Sequence, residues 1–143
     1  MQRDLFTTTI LSVFRANGRM IQWGDRFAAP FAVTSARWQV LGALGIAAHP
    51  LTAPQIAVNM GVTRQGVQKQ LNVLLQEGLI EKHVNPYHKR SPYYRLSAVG
   101  SDLYARIDHA WDRHAEQMMT RFAPGELSLA IQVLERISDL HNS

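Results

Sequence analysis

The sequence predicts a mainly α-helical fold (α+β) with one small β-hairpin, and three observations predict it. Two short amphipathic segments between Thr52 and Gln76 are separated only by a glycine-containing turn. Two β-prone stretches, Leu79 to Val84 and Pro92 to Leu96, follow with a polar turn between them. Apolar stripes at helical spacing then flank this middle segment on both sides. The chain has 143 residues, 46% hydrophobic and 18% charged, which fits one globular domain able to bury its own core.

The first helix is expected from Leu5 to roughly Ala29. Its stripe is Phe6, Ile10, Val13 or Phe14, Ile21 and Phe27, with an interruption near Asn17-Gly18 and a stop at Pro30. Thr34 or Ser35 can cap the next helix, which carries Trp38, Val40, Leu41 and Leu44 and should end near His49-Pro50. These aromatic and aliphatic stripes are most economically core.

Thr52 then stands as an N-cap with Gln55 three residues later, the spacing of a capping box, and Pro54 falls in the first turn, where its missing N–H costs little. A short helix from Ala53 to Met60 should stop at Gly61. Thr63 can cap a second helix only two residues on. Its apolar stripe is Val67, Leu71, Leu74 and Gly78; the other face offers Arg64, Gln65, Gln68, Lys69, Asn72 and Gln76, with no acid before Glu77. Those side chains suit base edges in a major groove and phosphates. A recognition helix inserts N-terminal end first, so Thr63, Arg64, Gln65, Gln68 and Lys69 are the candidate DNA contacts. An ordinary solvated helix face is the alternative for this helix taken alone.

The two strands supply the second half of the argument. Between them runs Asn85-Pro86-Tyr87-His88-Lys89-Arg90-Ser91, a polar turn with a basic tip. Helix, turn, helix and hairpin is the winged-helix order. Its tip residues His88, Lys89 and Arg90 are placed to reach a phosphate backbone or a minor groove. Charge points the same way: residues 61–97 hold six basic side chains against two acidic, while the rest of the chain balances at nine of each. All of the net charge of +4 therefore sits in the proposed reader.

Ser97 can cap a long helix from about Ala98 to Phe122 with Val99, Leu103, Ile107, Ala110, Trp111, Met118 and Met119 on its apolar face. Pro124-Gly125 breaks it, and a last helix from about Glu126 to Leu140 carries Leu127, Ala130, Ile131, Leu134 and Ile137. Amphipathic helices outside a complete small winged helix need something to bury against.

Three stretches together resemble the MarR-type winged-helix regulators: VTSARWQVLGAL from Val33, the run from Leu51 to Lys82, and NPYHKRSPYYRLSAVG from Asn85. The resemblance covers most of the chain. It implies a homodimer bound to double-stranded DNA, with residues 1–30 and 98–143 as dimerisation helices and 34–97 as the DNA-binding region of a single 1–143 domain. The usual wing in that family carries an Asp before its turn, which helps to brace the wing arginine. Here Asn85 stands in its place, which leaves the bracing open, a neutral hydrogen bond from Asn85 being one way to supply it; Lys89 and Arg90 match the basic pair. The resemblance also implies a cleft for an anionic aromatic effector, for which Trp23, Arg26, Arg37 and Trp38 are candidates, each equally well explained by packing or helix-end charge.

Other chemistries have less support. With no cysteine, disulfides, thiolate metal sites and a cysteine-based oxidation switch are excluded. No nucleophile elbow, P-loop or dinucleotide fingerprint is present, so no enzyme and no cofactor is expected. No stretch approaches the roughly 20 apolar residues of a membrane span, and the N-terminus, with an acidic residue and no long apolar core, does not read as a signal peptide, so a soluble cytoplasmic protein is expected. His109 and Asp112 share a helix face, but His114 lies well round from them, so a metal is not expected. The competing class is a winged helix used for protein contact, its basic face docking an acidic partner. The Gln and Asn on the recognition face suit base edges better than an acidic surface.

Overall fold

Local caps and one shared apolar core account for the reader half of the computed structural model, which describes residues 1–142. In order come α1 (Gln2–Ala28), a 3-10 turn (Ala29–Phe31), α2 (Ser35–Ile46), β1 (Leu51–Thr52), α3 (Ala53–Met60), α4 (Arg64–Gln76), β2 (Ile80–His83), β3 (Tyr93–Leu96), α5 (Ala98–Met119) and α6 (Glu126–Leu140). The chain divides into two compact units, Met1–Ile107 and the residues from Asp108 on. No described helix is long and apolar enough to cross a membrane.

The predicted caps are present. Thr34 accepts from the backbone N–H of Arg37, and Thr63 from that of Gly66. Around Thr52 and Gln55 both arms of the capping box form, at 3.3 and 2.9 Å. Gly61 ends α3 with φ of 67°, a left-handed conformation that glycine adopts without a Cβ penalty. Ser97 accepts from the N–H of Gly100 at 3.0 Å and donates to the carbonyl of Gly78 at 2.7 Å, joining the start of α5 to the turn after α4.

One expectation, the place of Gly78, is corrected. Helix α1 runs through Asn17-Gly18 as the single helix expected, the interruption being one of its apolar stripe only, because an open surface position tolerates one glycine at a cost of about 1 kcal/mol. Gly78 does not continue the buried stripe of α4: the helix stops at Gln76, and Gly78 turns the exposed chain with φ of 73°. A third strand joins the predicted hairpin. Leu51 and Thr52 pair with Tyr94 and Tyr93, making an antiparallel sheet of order β1-β3-β2.

Within the first unit the core gathers Leu41 from α2, Ile56 from α3, Leu71 and Leu74 from α4, Tyr94 from β3 and Ile107 from α5, all fully buried. Asp25 extends this order into α1 by accepting the N–H of Ser35 at 2.8 Å, at the start of α2. Gly24 packs so closely on Ser35 that an added Cβ would stand 2.8 Å from its hydroxyl oxygen. In α6, by contrast, no residue is buried.

Candidate nucleic-acid interface

Helix α4 presents its N-terminal turn to solvent because Val67, Leu71 and Leu74 hold the opposite face in the core. Thr63, Arg64, Gln65 and Lys69 are exposed. There is no acidic residue in the first turn, so the partial positive charge of the helix end is reinforced by Arg64 rather than cancelled. Gln68 is half-buried. Its amide donates to Asn72 Oδ1 at 2.9 Å and, more weakly, to the hydroxyl of the buried Tyr94 at 3.4 Å. The recognition face is thereby tied to β3 and hence to the wing.

The wing itself is ordered by Asn85. This side chain is 5% exposed; its Nδ2 donates to the carbonyl of Ser91 at 2.9 Å, and its Oδ1 accepts the N–H of Tyr87 at 3.0 Å. The bracing that the sequence left open is thus directed at turn backbone, with both bonds of the Asn85 amide made to Ser91 and Tyr87 and none to Arg90. His88, Lys89 and Arg90 all stand exposed at the tip. At the base of the hairpin, Glu81 Oε1 lies 3.0 Å from both His83 Nε2 and Arg95 Nε. The hydrogen bonds from His83 and then Arg95 hold the Glu81 carboxyl below its usual pKa. Arg95 is thus partly neutralised; among the described residues Arg64, Lys69, Lys82, Lys89 and Arg90 have no acidic partner within salt-bridge distance.

Two grooves meet at Arg90. One, of about 400 Å³, brings Arg64, Gln65 and Gln68 of α4 together with Arg90 and Ser91 of the wing. The other, of about 420 Å³, lies against Lys82, His83, Lys89 and Arg90. Thr63, Lys69 and His88 line neither groove. Lys82 and His83 were missed as site residues, although Lys82 had already been counted in the basic excess; it is the hairpin that brings them beside Lys89. Cations beside amides are the side-chain types that suit phosphates and adenine edges respectively.

The four effector candidates occupy α1 and α2. Trp23 stacks on Phe27 with ring centroids 4.9 Å apart, and Phe27 in turn meets Trp38 at 5.0 Å, so the two tryptophans join one aromatic cluster through Phe27. Arg26 is exposed, whereas Arg37 is half-buried with its Nε sealed from solvent and unpartnered. A separate apolar groove of about 190 Å³ opens behind the recognition helix, lined by Ile21, Met60, Val62, Val67 and Gln70 among others. In the second unit His114 lies against the Trp111 ring at 5.5 Å. No three His, Asp or Glu side chains among the described residues stand close enough to hold a metal ion.

The model of the MarR family matches residues 33–91. An uncharacterized protein of Mycobacterium tuberculosis is 40% identical over 104 residues, 73% of this chain and 71% of that protein. A Thauera aromatica protein named as a transcriptional regulator of the hcr operon is 30% identical over 93 residues, 64% of this chain and 56% of its own. Among solved structures, a MarR/EmrR family transcriptional regulator from Acinetobacter superposes with a TM-score of 0.81 at 18% identity, covering 97% of this chain and 96% of the other. MepR of S. aureus in complex with DNA gives 0.77 at 22% identity, covering 90% and 95%. A mutant MarR from E. coli with operator DNA also gives 0.77, at 17% identity, covering 96% and 97%.

Proposed function

We propose that this chain, whose residues 33–91 match the model of the MarR family, is a DNA-binding transcription regulator of that family and acts as a homodimeric repressor on an inverted-repeat operator. The observation that carries this reading is the groove in which Arg64, Gln65 and Gln68 face Arg90 across the junction of α4 and the wing. Thr63, Arg64, Gln65, Gln68 and Lys69 enter a major groove, while His88, Lys89 and Arg90 engage the backbone or the adjoining minor groove. Phosphate contacts supply salt-sensitive affinity, and the recognition helix supplies base preference.

Residues 1–30 and 98–143 join two copies, and 34–97 read the duplex. The exposed apolar side chains of the terminal helices support that division: Leu5, Leu11 and Phe14 in α1, and Leu129, Ile131 and Leu134 in α6. A two-fold pair sets its recognition helices about 34–36 Å apart, one turn of duplex. An anionic aromatic effector, received beside Trp23, Arg26, Arg37 and Trp38, releases DNA by binding more tightly to a dimer geometry that mismatches the grooves. The cytoplasm is the place of action in this reading.

Fluorescence anisotropy with the duplex upstream of the protein's own gene, against a scrambled duplex, tests the reading at two salt concentrations. Preference for the native duplex that weakens with salt is expected. Equal binding to both would leave a basic surface without sequence reading there, and no binding at low salt would favour an acidic protein partner instead.

A further inference from the structure

The turn from Asn85 to Ser91 is bracketed by two residues that precede prolines, Asn85 before Pro86 and Ser91 before Pro92. Steric contact with the proline ring disfavours helical backbone at both, holding the two ends of the turn extended. Across those ends runs one side-chain link, from Asn85 Nδ2 to the carbonyl of Ser91 at 2.9 Å. Asn85 Oδ1 accepts the N–H of Tyr87 at 3.0 Å, and two backbone bonds, His88 to Asn85 and Ser91 to His88, complete the turn. A single buried amide thus supplies two of its four hydrogen bonds. We infer that Asn85 is the positioning residue of the wing, clipping its two ends together so that Arg90 is held at the tip uncommitted, ready for a nucleic-acid anion.

The chemistry requires an amide. An ionised Asp at this position keeps the acceptor for Tyr87 but has no proton to give to Ser91, and it sets a negative charge against a carbonyl oxygen. It also offers the neighbouring Arg90 an acidic partner in competition with DNA. With the amide, Arg90 has no acidic partner among the described residues, and ordering of the tip precedes binding instead of being charged to it. The value of this for DNA binding rests on the function proposed above; the ordering of the turn does not.

The test uses the full chain with Asn85→Ala, Asn85→Asp, Arg90→Ala and the corresponding doubles. Two readouts are taken: amide exchange of the 85–91 turn by NMR without DNA, and affinity for the preferred duplex by anisotropy. Loss of the clip should speed exchange at Ser91 in both Asn85 variants, while Asn85→Asp alone keeps Tyr87 protected. Affinity should fall about tenfold in Asn85→Ala, the scale of one or two lost hydrogen bonds. In the Arg90→Ala background the same change should cost less than about twofold, because Asn85 acts through Arg90. Unchanged exchange at Ser91 would overturn the inference, as would an equal loss in both backgrounds. Should Asn85→Ala fail to fold, the near-isosteric Asp variant still gives the exchange result. A wild-type chain that binds no duplex would defeat the proposed function, while the exchange data would still decide whether Asn85 orders the turn.

Discussion

Between Leu51 and Leu96 the chain buries Ile56, Leu71, Leu74 and Tyr94 to 1% exposure or less, whereas Leu129 and Ile131 of α6 stand 60% and 55% exposed. Both regions carry amphipathic helices of ordinary composition. The first closes its apolar faces on one another through two helices and a sheet; the last helix keeps its apolar residues at the surface of its own unit. Polar groups divide the same way. The reader contains the capping box, the Thr63 cap and the Asn85 clip, while α1 and α6 begin without a side-chain cap from their N-cap residues. The difference teaches that the reader is specified from within, whereas the terminal helices leave apolar side chains exposed, which is what the proposed dimer would cover.

The largest effect should come from the reader's core. Leu71→Ala leaves a cavity among fully buried side chains and should cost about 2–5 kcal/mol of folding stability, read as a lowered denaturation midpoint. Gly100→Ala comes next: its Cβ would collide with the carbonyl of Leu79, and overpacking of this kind costs about 1–3 kcal/mol. In the terminal helices the outcome should invert. Leu129→Glu with Ile131→Glu should shift sedimentation from dimer to monomer, with secondary structure in the reader retained. Unfolding without prior dissociation would break the comparison.

Smaller effects should separate the reader's own parts. Arg64→Ala should cost about 1–3 kcal/mol of DNA binding and relax preference at one base position, whereas Arg90→Ala should lower the salt slope by about 1. Uniform weakening by Arg64→Ala would make it a phosphate contact only. The smallest effect belongs to Glu81, whose pKa is lowered by His83 and then Arg95. A carboxylate with a depressed folded pKa stabilises the fold above its unfolded pKa, and that contribution is lost as pH falls through the folded value. Glu81→Gln should therefore lower the melting temperature slightly at neutral pH, with the gap to wild type closing in acid.

How far the sequence could be read depended on how local each cause is. Helices α3 and α4 were legible because Thr52, Gln55, Gly61 and Thr63 act within a few residues of themselves. The last helix was read to its ends, Glu126 and Leu140, because Pro124-Gly125 punctuates the chain before it. Strand β1 was not legible: two residues make a strand only because Tyr93 and Tyr94, some forty positions on, pair with them. The exposed residues of the candidate interface were legible as types on a helix face and a basic tip. What Gln68 and Asn85 bond to was not, since Tyr94 and the Ser91 carbonyl come to them only through the folded sheet and turn.

The central claim is that two copies, joined by their terminal helices, read one turn-spaced inverted repeat. Selection of bound duplexes from a random pool by the wild-type protein tests it most directly. The account predicts an enriched inverted repeat with half-site centres about 10–10.5 base pairs apart, and loss of one preferred base in each half when Arg64 is replaced by alanine. An enriched single half-site, or no enriched sequence at all, would contradict it.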